Sequence, residues 1–272
     1  METPWPATIP DEATLEEVLS RPDPALIADL AAVPGDILVL GAAGKMGPTL
    51  CRLAKRADPT RRVIAVARWS EPGLRERMES WGMECLSADL SDDAALAALP
   101  DAPNVIFMAA RKFGSTGNEA LTWAMNVLLP ARVAARWASS RIVFFSTGNV
   151  LPLVPLSSGG ADESVTPAPV GEYAASCLGR ERVFQHAAGH FIVFTGHGGK
   201  GNVLARFGNA QNKAGILHRE KPFGHNHVQA NGQGQGTKGY QQGGFLVVQH
   251  NSKGFVVEPQ KPLPEAFFFK ML

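Results

Sequence analysis

Cysteine is scarce in this chain of 272 residues: Cys51, Cys85 and Cys177 are its only three, and they lie far apart in the sequence. So few and so widely spaced cysteines do not form a disulfide framework and fit a reducing cytosol. An excess of charge of one sign is lacking too, because 26 basic and 25 acidic residues leave a formal net charge of +1. This balance gives no electrostatic case for nucleic acid or an anionic membrane surface as a partner.

Long apolar runs are also missing, since no stretch approaches the roughly 18 residues of a membrane-spanning helix. The first residues are acidic and lack the charged and apolar regions of a signal peptide. We therefore expect a cytoplasmic protein without a membrane or nucleic-acid partner. Hydrophobic residues at 45% and charged residues at 19% are ordinary for a globular chain of one large domain or two small ones.

The composition changes abruptly near residue 187. All seven histidines lie at or after His186 and all glutamines at or after Gln185, whereas all five tryptophans lie earlier. Residues 231–244 are of low complexity and have too little apolar surface to offset the entropy lost on ordering. We therefore divide the chain into three parts: a helical N-terminal extension (1–34), a main domain (35–187), and a segment rich in Gly, Gln, His and Lys (188–272).

Two explanations of the last segment stay open. It is either a divergent substrate lobe with one flexible loop, or the result of a fusion or frameshift that replaced the ordinary C-terminal part. Its histidines, including His225 and His227, have no zinc-site spacing and no Cys or Asp nearby, so we expect no metal.

Strands and helices alternate through the main domain. Continuous apolar runs predict buried parallel strands at 36–40, 62–67, 83–90, 104–110 and 141–147, with a sixth at 191–196. The stretches between them predict helices at 48–57, 71–82, 92–99 and 119–139, and another from 171 onward. The pattern predicts an α/β fold, a Rossmann-type doubly wound parallel sheet.

Two short helices are predicted ahead of the first strand. Thr14 and Glu17 have the spacing of a capping box, which opens the first of them. Asp23 followed by Pro24 is typical of the N-cap and first residue of the second.

A glycine-rich turn follows the first predicted strand and opens a helix. Gly41, Gly44 and Gly47 have the spacing G-x-x-G-x-x-G. Glycines permit a tight turn and let a pyrophosphate approach bare backbone, and the helix N-terminus offers free N–H groups. The strand before and the helix after favour a dinucleotide-binding loop over an unrelated glycine turn. Lys45 and Met46 are further candidate contacts.

Three more marks accompany this loop: Asp89 after the third strand, the run Ser-Thr-Gly-Asn-Val at 146–150 after the fifth, and Tyr173 opening a later helix. With these four marks the chain resembles the extended short-chain dehydrogenase/reductase family, the NAD-dependent epimerase/dehydratases, over about residues 35–187. The resemblance implies an NAD(P)-dependent oxidoreductase, epimerase or dehydratase. Its substrate would be a polar small molecule with a carbinol or carbonyl carbon, such as a sugar or sugar nucleotide. A homodimer paired through helices on the domain face is also implied.

The residue after the second strand bears on the choice of cofactor. NAD enzymes usually place an acid there to accept from the ribose hydroxyls. Here Ala67 is followed by Arg68, whose guanidinium suits a phosphate, so we expect NADP in preference to NAD. The alternatives are that Arg68 is a solvated surface charge and that Asp89 only caps a helix. The resemblance implies four further cofactor contacts: Asp89 and Leu90 beside the adenine, and Ala109 and Ala110 after the fourth strand.

The catalytic pattern of the family is incomplete here. In the family a Tyr moves the proton, a Ser or Thr holds the same substrate oxygen, and a Lys four residues after the Tyr lowers its pKa. Tyr173 matches the Tyr, and Thr147, with Ser146 beside it, matches the hydroxyl, but Cys177 stands where the Lys belongs. Since free tyrosine titrates near pH 10, the missing cation matters.

Four hypotheses about catalysis stay open. The first is that Lys112, in the loop after the fourth strand, supplies the missing cation, and the second is that the chain binds nucleotide without catalysis, as a sensor or partner-binding protein. The third is that Cys177 itself is reactive, and the fourth is that the chain is defective. Asn126 matches a family Asn that helps to order the active site, and the alternative is a plain polar residue of a helix.

Overall fold

The computed structural model describes residues 6–158, 160–161 and 165–187, together with the backbone of four strands between residues 190 and 231. His225, His227 and residues 232–244 of the low-complexity segment lie outside the described residues.

A parallel sheet of five strands forms the centre of the fold. They are β1 (Ile37–Leu40), β2 (Val63–Ala67), β3 (Glu84–Ser87), β4 (Asn104–Phe107) and β5 (Arg141–Thr147), in the spatial order β3-β2-β1-β4-β5. The residues of β1, β2 and β4 are buried along the whole length of each strand, as continuous apolar runs predict for strands covered on both faces. All five predicted strands are present, although β3 and β4 are shorter than predicted. The Rossmann-type fold is confirmed.

The sheet continues beyond β5. The predicted sixth strand is present as β6 (His190–Gly196) and pairs with β5 in parallel. Three antiparallel strands follow, β7 (Leu204–Asn209), β8 (Gly215–Arg219) and β9 (Val228–Asn231). No strand was expected from the sequence at these three places, because antiparallel strands need no continuous apolar run.

Helices cover both faces of the sheet. Alternate residues of β1 point to opposite sides: Ile37 and Val39 join one core cluster, Leu38 and Leu40 the other. Helices α2 (Pro24–Ala32), α3 (Gly47–Ala57) and α4 (Leu74–Ser80) contribute to the first cluster. Helices α5 (Asp93–Ala98), α7 (Leu129–Arg136) and α8 (Glu172–Ala187) contribute to the second. This is the doubly wound arrangement that the alternation of elements predicts.

The N-terminal helices differ from the prediction in one detail. Helix α2 begins as expected, with the Asp23 side chain accepting a hydrogen bond from Leu26 N at 2.6 Å. Helix α1 (Glu12–Leu19) begins before the predicted capping box, because Asp11 is its N-cap and accepts from Thr14 N at 2.7 Å. The prediction of a capping box at Thr14 is therefore wrong, because Asp11, three residues earlier, accepts the backbone hydrogen bond that opens the helix.

The long helix predicted at 119–139 is interrupted. Helix α6 (Glu119–Trp123) passes into a π-helical turn (Ala124–Leu128), which continues as α7 and ends at Arg136. Pro130 has no N–H to donate to the carbonyl of Asn126, four residues earlier, so the regular α-helical ladder cannot be completed there. Single π turns of this kind often lie at functional sites.

The carboxyl ends of the central strands lie level with one another. Leu40 pairs with Val66 on one side and with Phe107 on the other. The loops that follow β1, β2 and β4 therefore leave the sheet side by side. Between β1 and β4 the chain connections diverge to opposite faces, and ligands of such sheets bind in the crevice that this leaves.

Neither a membrane-spanning helix nor a metal-binding cluster is found in the part of the chain that the structure describes. No helix there is long and apolar enough to cross a membrane. Nor does any group of three His, Cys, Asp or Glu side chains come together there as a metal site requires.

Glu17 of α1 ties the N-terminal helices to α3, and its removal is a test of that contact. Its carboxylate pairs with Arg21, Arg52 and Arg56, with N–O distances of 3.3, 3.3 and 2.7 Å. The Glu17 side chain is 38% exposed, so solvent screens these pairs. We expect Glu17→Gln to lower the free energy of unfolding by about 1 kcal/mol at pH 7.

The effect of Glu17→Gln should depend on pH. Partial burial raises the pKa of Glu17, but hydrogen bonds and charges from its arginine partners outweigh it and lower the pKa below the ordinary 4.5. The stabilisation is therefore present above the unfolded-state pKa and is lost as the pH falls through the folded-state value. Thermal unfolding should show the gap to the parent chain closing between pH 7 and about pH 3. Glu16→Gln, in the same helix, is the control; an equal loss there would contradict the assignment.

Candidate functional site

Two glycines of the turn after β1 are required by packing. Gly41 has a φ of +90°, and a Cβ there would lie 2.7 Å from the backbone N of Ala109 in the loop after β4. A Cβ on Gly47 would lie 2.1 Å from the carbonyl oxygen of Ala42. Larger residues at either place would push apart the backbone segments that form the loop.

Gly44 is different, because packing does not require a glycine at this position. A Cβ there would meet one described atom, the carbonyl oxygen of Gly41, at 3.4 Å, and its φ is not positive. The backbone N–H groups of Lys45 and Met46 have no acceptor among the described residues, and α3 begins without a side-chain cap. An open, bare backbone with free donors at a helix N-terminus fits a pyrophosphate.

The residues predicted to contact the adenosine lie at the same sheet edge. Arg68, directly after β2, is exposed, and its charge acts on the carboxylate of Asp89. Asp89 accepts a hydrogen bond from Ser91 N at 2.9 Å, and this bond does most to lower its pKa. Leu90 is buried in the core cluster of the second sheet face. Ala109 packs against Gly41, with Ala110 exposed beside it.

Tyr173 and Thr147 come together at the end of β5. Thr147 is the last residue of the strand, and Tyr173 lies in the first turn of α8. The phenol is half-buried, and this burial raises its pKa; the Cys177 thiol raises it further, while the Thr147 hydroxyl and the Arg180 charge lower it. The net pKa of Tyr173 is above its ordinary value.

Ser146 has another partner. Its hydroxyl donates to Oε1 of Glu181 at 2.6 Å, linking β5 to the middle of α8. Glu181 is buried, with 1% of its surface exposed. The Ser146 side chain therefore holds the helix onto the strand, and Thr147 provides the hydroxyl beside the phenol.

Asn126 is fully buried at the π turn and connects three segments. Its Oδ1 accepts from Arg111 N at 2.8 Å, and its Nδ2 donates to Arg111 O at 3.0 Å and to Ser176 Oγ at 2.9 Å. Ser176 in turn donates to the carbonyl oxygen of Tyr173 at 2.8 Å. The loop after β4 and the first turn of α8 are thus held to one side chain, which an ordinary polar helix residue would not do.

Lys112 stands exposed on the loop after β4. Its Nζ lies 5.6 Å from the ring centre of Phe113, a residue of the same loop that is itself 82% exposed. Arg180, by contrast, is a cation that acts on the pKa of Tyr173.

Two site-adjacent residues were missed in the sequence, Arg180 and Glu181. Both are buried in α8, and Nη2 of Arg180 lies 2.9 Å from Sγ of Cys177. The spacing of the sequence indicates both residues, because positions 173, 177, 180 and 181 follow the i, i+4, i+7, i+8 pattern of one helix face. Arg180 and Glu181 are therefore charged residues on the helix face that carries Tyr173.

Comparisons with known proteins bear on this site. A profile of the NAD dependent epimerase/dehydratase family matches residues 37–203 and so includes β6, which lies beyond residue 187. No curated protein matches the chain.

Several solved structures are similar to the chain. UDP-glucuronic acid 4-epimerase from Bacillus cereus in complex with NAD is 20% identical, with a TM-score of 0.44, over 54% of this chain and 50% of that one. WbmG from Bordetella bronchiseptica in complex with NAD is 17% identical, with a TM-score of 0.46, over 56% and 49%. MoeE5 in complex with UDP-glucose and NAD is 24% identical, with a TM-score of 0.45, over 56% and 48%. The chain thus spans about half the length of these structures.

The family match covers more than half of the chain and includes the glycine turn, Thr147 and Tyr173. The chain belongs to the NAD-dependent epimerase/dehydratase family.

Proposed function

We propose that the chain binds a nicotinamide adenine dinucleotide at the carboxyl edge of its sheet and acts on a carbinol or carbonyl carbon of a polar substrate. A sugar or sugar nucleotide is the substrate class that we expect from the family. The observation that carries the proposal is the pairing of Tyr173 with Thr147 at the end of β5, on the edge that also carries the glycine turn. The reaction is an oxidation, epimerisation or dehydration, which share their first step.

The residues of this chain have separate parts in that step. When bound, the nicotinamide supplies hydride transfer. Tyr173, when ionised to the phenolate, accepts the proton of the substrate hydroxyl at its oxygen, and Thr147 hydrogen-bonds the same substrate oxygen and orients it. Asn126 positions the loop after β4 and the start of α8 through its bonds to Arg111 and Ser176.

For the cofactor we propose a preference for NADP. Arg68 is exposed directly after β2, and its charge acts on Asp89 after β3, at the sheet edge where an adenosine ribose is expected to bind. A guanidinium there would bind a 2′-phosphate through two hydrogen bonds.

A second function is favoured by one observation. The pKa of Tyr173 is raised, chiefly by burial, and no lysine follows it at position 177. A phenol that stays protonated at neutral pH is a poor base, so a chain that binds nucleotide without turning over substrate is the alternative.

Gly44→Ala tests the nucleotide site without disturbing the fold. The turn has room for a Cβ at this position, so we expect the thermal unfolding midpoint to change little. The same Cβ would stand where the pyrophosphate approaches the backbone, so affinity for NADPH should fall at least about tenfold. Fluorescence titration of the folded parent and variant measures this. Equal affinities would place the nucleotide elsewhere, and no binding by the parent would overturn the proposal.

Arg68→Gln tests the choice of nucleotide. If the guanidinium binds the 2′-phosphate, the variant should lose about tenfold or more in affinity for NADPH and keep its affinity for NADH. Arg77→Gln, on helix α4, serves as the control for a general loss of positive charge. A parent chain that prefers NADH, or losses of equal size for both nucleotides, would show that Arg68 is only a surface charge.

Turnover separates the two functions. The chain is mixed with NAD or NADP and a series of sugar nucleotides, and the nicotinamide fluorescence and the sugar product are followed. An enzyme should lose at least about a hundredfold in kcat on Tyr173→Phe, because the group that moves the proton is gone. If nucleotide binds but turnover appears only in Cys177→Lys, the native chain is a binding protein.

A further inference from the structure

A positive charge lies buried close to the place where the family lysine is missing. Arg180 is only 2% exposed, and its Nη2 contacts Sγ of Cys177 at 2.9 Å. Among the side chains that the structure describes, none accepts a hydrogen bond from its Nε. The next residue, Glu181, is a buried carboxylate that accepts a hydrogen bond from Ser146. A guanidinium buried in this way is costly unless negative charge develops near it.

The helix directs this charge toward Tyr173. Positions 173, 177 and 180 lie on one face of α8, and long side chains in a helix lean back toward its N-terminus. Arg180 therefore extends past Cys177 in the direction of the phenol. Among the described residues, Cys177 and Arg180 of α8 and Thr147 of β5 act on the pKa of the phenol, and Arg180 is the cation of the three.

The cysteine and the arginine also suit each other. A lysine at position 177 would bring a second positive charge against the buried guanidinium, whereas the small Cys177 side chain, which cannot carry a positive charge, leaves it room. Position 177 lacks the family lysine, and a buried arginine lies three residues later at position 180. One cation has in effect been exchanged for another on the same helix face.

We propose that Arg180 is a positioning residue that stands in for the absent lysine, its guanidinium providing the positive charge that favours proton transfer by Tyr173. The proton passes between the substrate hydroxyl and the phenol oxygen, and Arg180 keeps its own. This inference rests on the proposed role of Tyr173, and it replaces Lys112 as the source of the cation.

The chain offers a direct measurement, because Tyr173 and Tyr240 are its only tyrosines. In a full-length Tyr240→Phe chain, the tyrosinate absorbance reports the ionisation of Tyr173 alone, with no cofactor or substrate present. Circular dichroism at each pH checks that the chain stays folded.

In this background Arg180→Met keeps the side-chain length and removes the charge. We expect the pKa of Tyr173 to rise by about one unit or more, a tenfold change in its ionisation constant. Arg180→Lys should stay close to the parent, and adding Cys177→Lys to Arg180→Met should bring the pKa down again. The matched control is Arg182→Met, an exposed arginine of the same helix, which should leave the pKa unchanged.

A folded Arg180→Met chain with the parent's phenol pKa overturns the inference, and so does an equal rise in Arg182→Met. If Arg180→Met does not fold, Arg180→Gln, which is polar but uncharged, gives the same comparison. The titration needs no nucleotide, so the two proposals fail separately. An unchanged pKa with intact nucleotide binding removes the role of Arg180 alone, whereas a lack of nucleotide binding removes the proposed function.

Discussion

The close approach of two backbone segments at the centre of the sheet is the constraint on which the candidate site depends. Gly41 leaves β1 with a positive φ, and a Cβ on it would collide with the backbone of Ala109 in the loop after β4. This contact is possible only because β1 and β4 end at the same level, with Leu40 paired to Phe107. The crevice proposed for the nucleotide lies where these two segments leave the sheet, beside the free N–H groups at the start of α3.

A second set of contacts holds helix α8 in place over this crevice. The ring of Phe184 stacks on Phe144 of β5 at 4.3 Å between centroids, and Ser146 donates to Glu181. At the other end of the helix, Asn126 joins Ser176 to the loop after β4. Because apolar stacking fixes the helix on the strand and buried hydrogen bonds fix its rotation, the first turn of α8 meets the last residue of β5.

Much of the fold was predictable because the signals were local and strong. Four-residue and longer apolar runs give the buried strands, and glycine spacing between strand and helix gives the turn at Gly41–Gly47. The errors arose where two local solutions have similar energies. Asp11 and Thr14 are both good caps, and the helix begins at the earlier one. The effect of Pro130 on the carbonyl of Asn126 was overlooked, so a π turn was not expected.

The sequence by itself determined the fold class and the glycine turn, and it singled out Tyr173 as a candidate with Cys177 four residues later. Each of these is a property of residue type and spacing along one or two elements. Only the tertiary structure decided which cation acts on Tyr173, because a charge acts through space, according to distance and to the water that screens it. The expected topology put Lys112 at the same sheet edge as Tyr173, but its side chain stands exposed on the loop after β4. Arg180 is excluded from solvent by the packing of α8, and its charge therefore reaches the phenol.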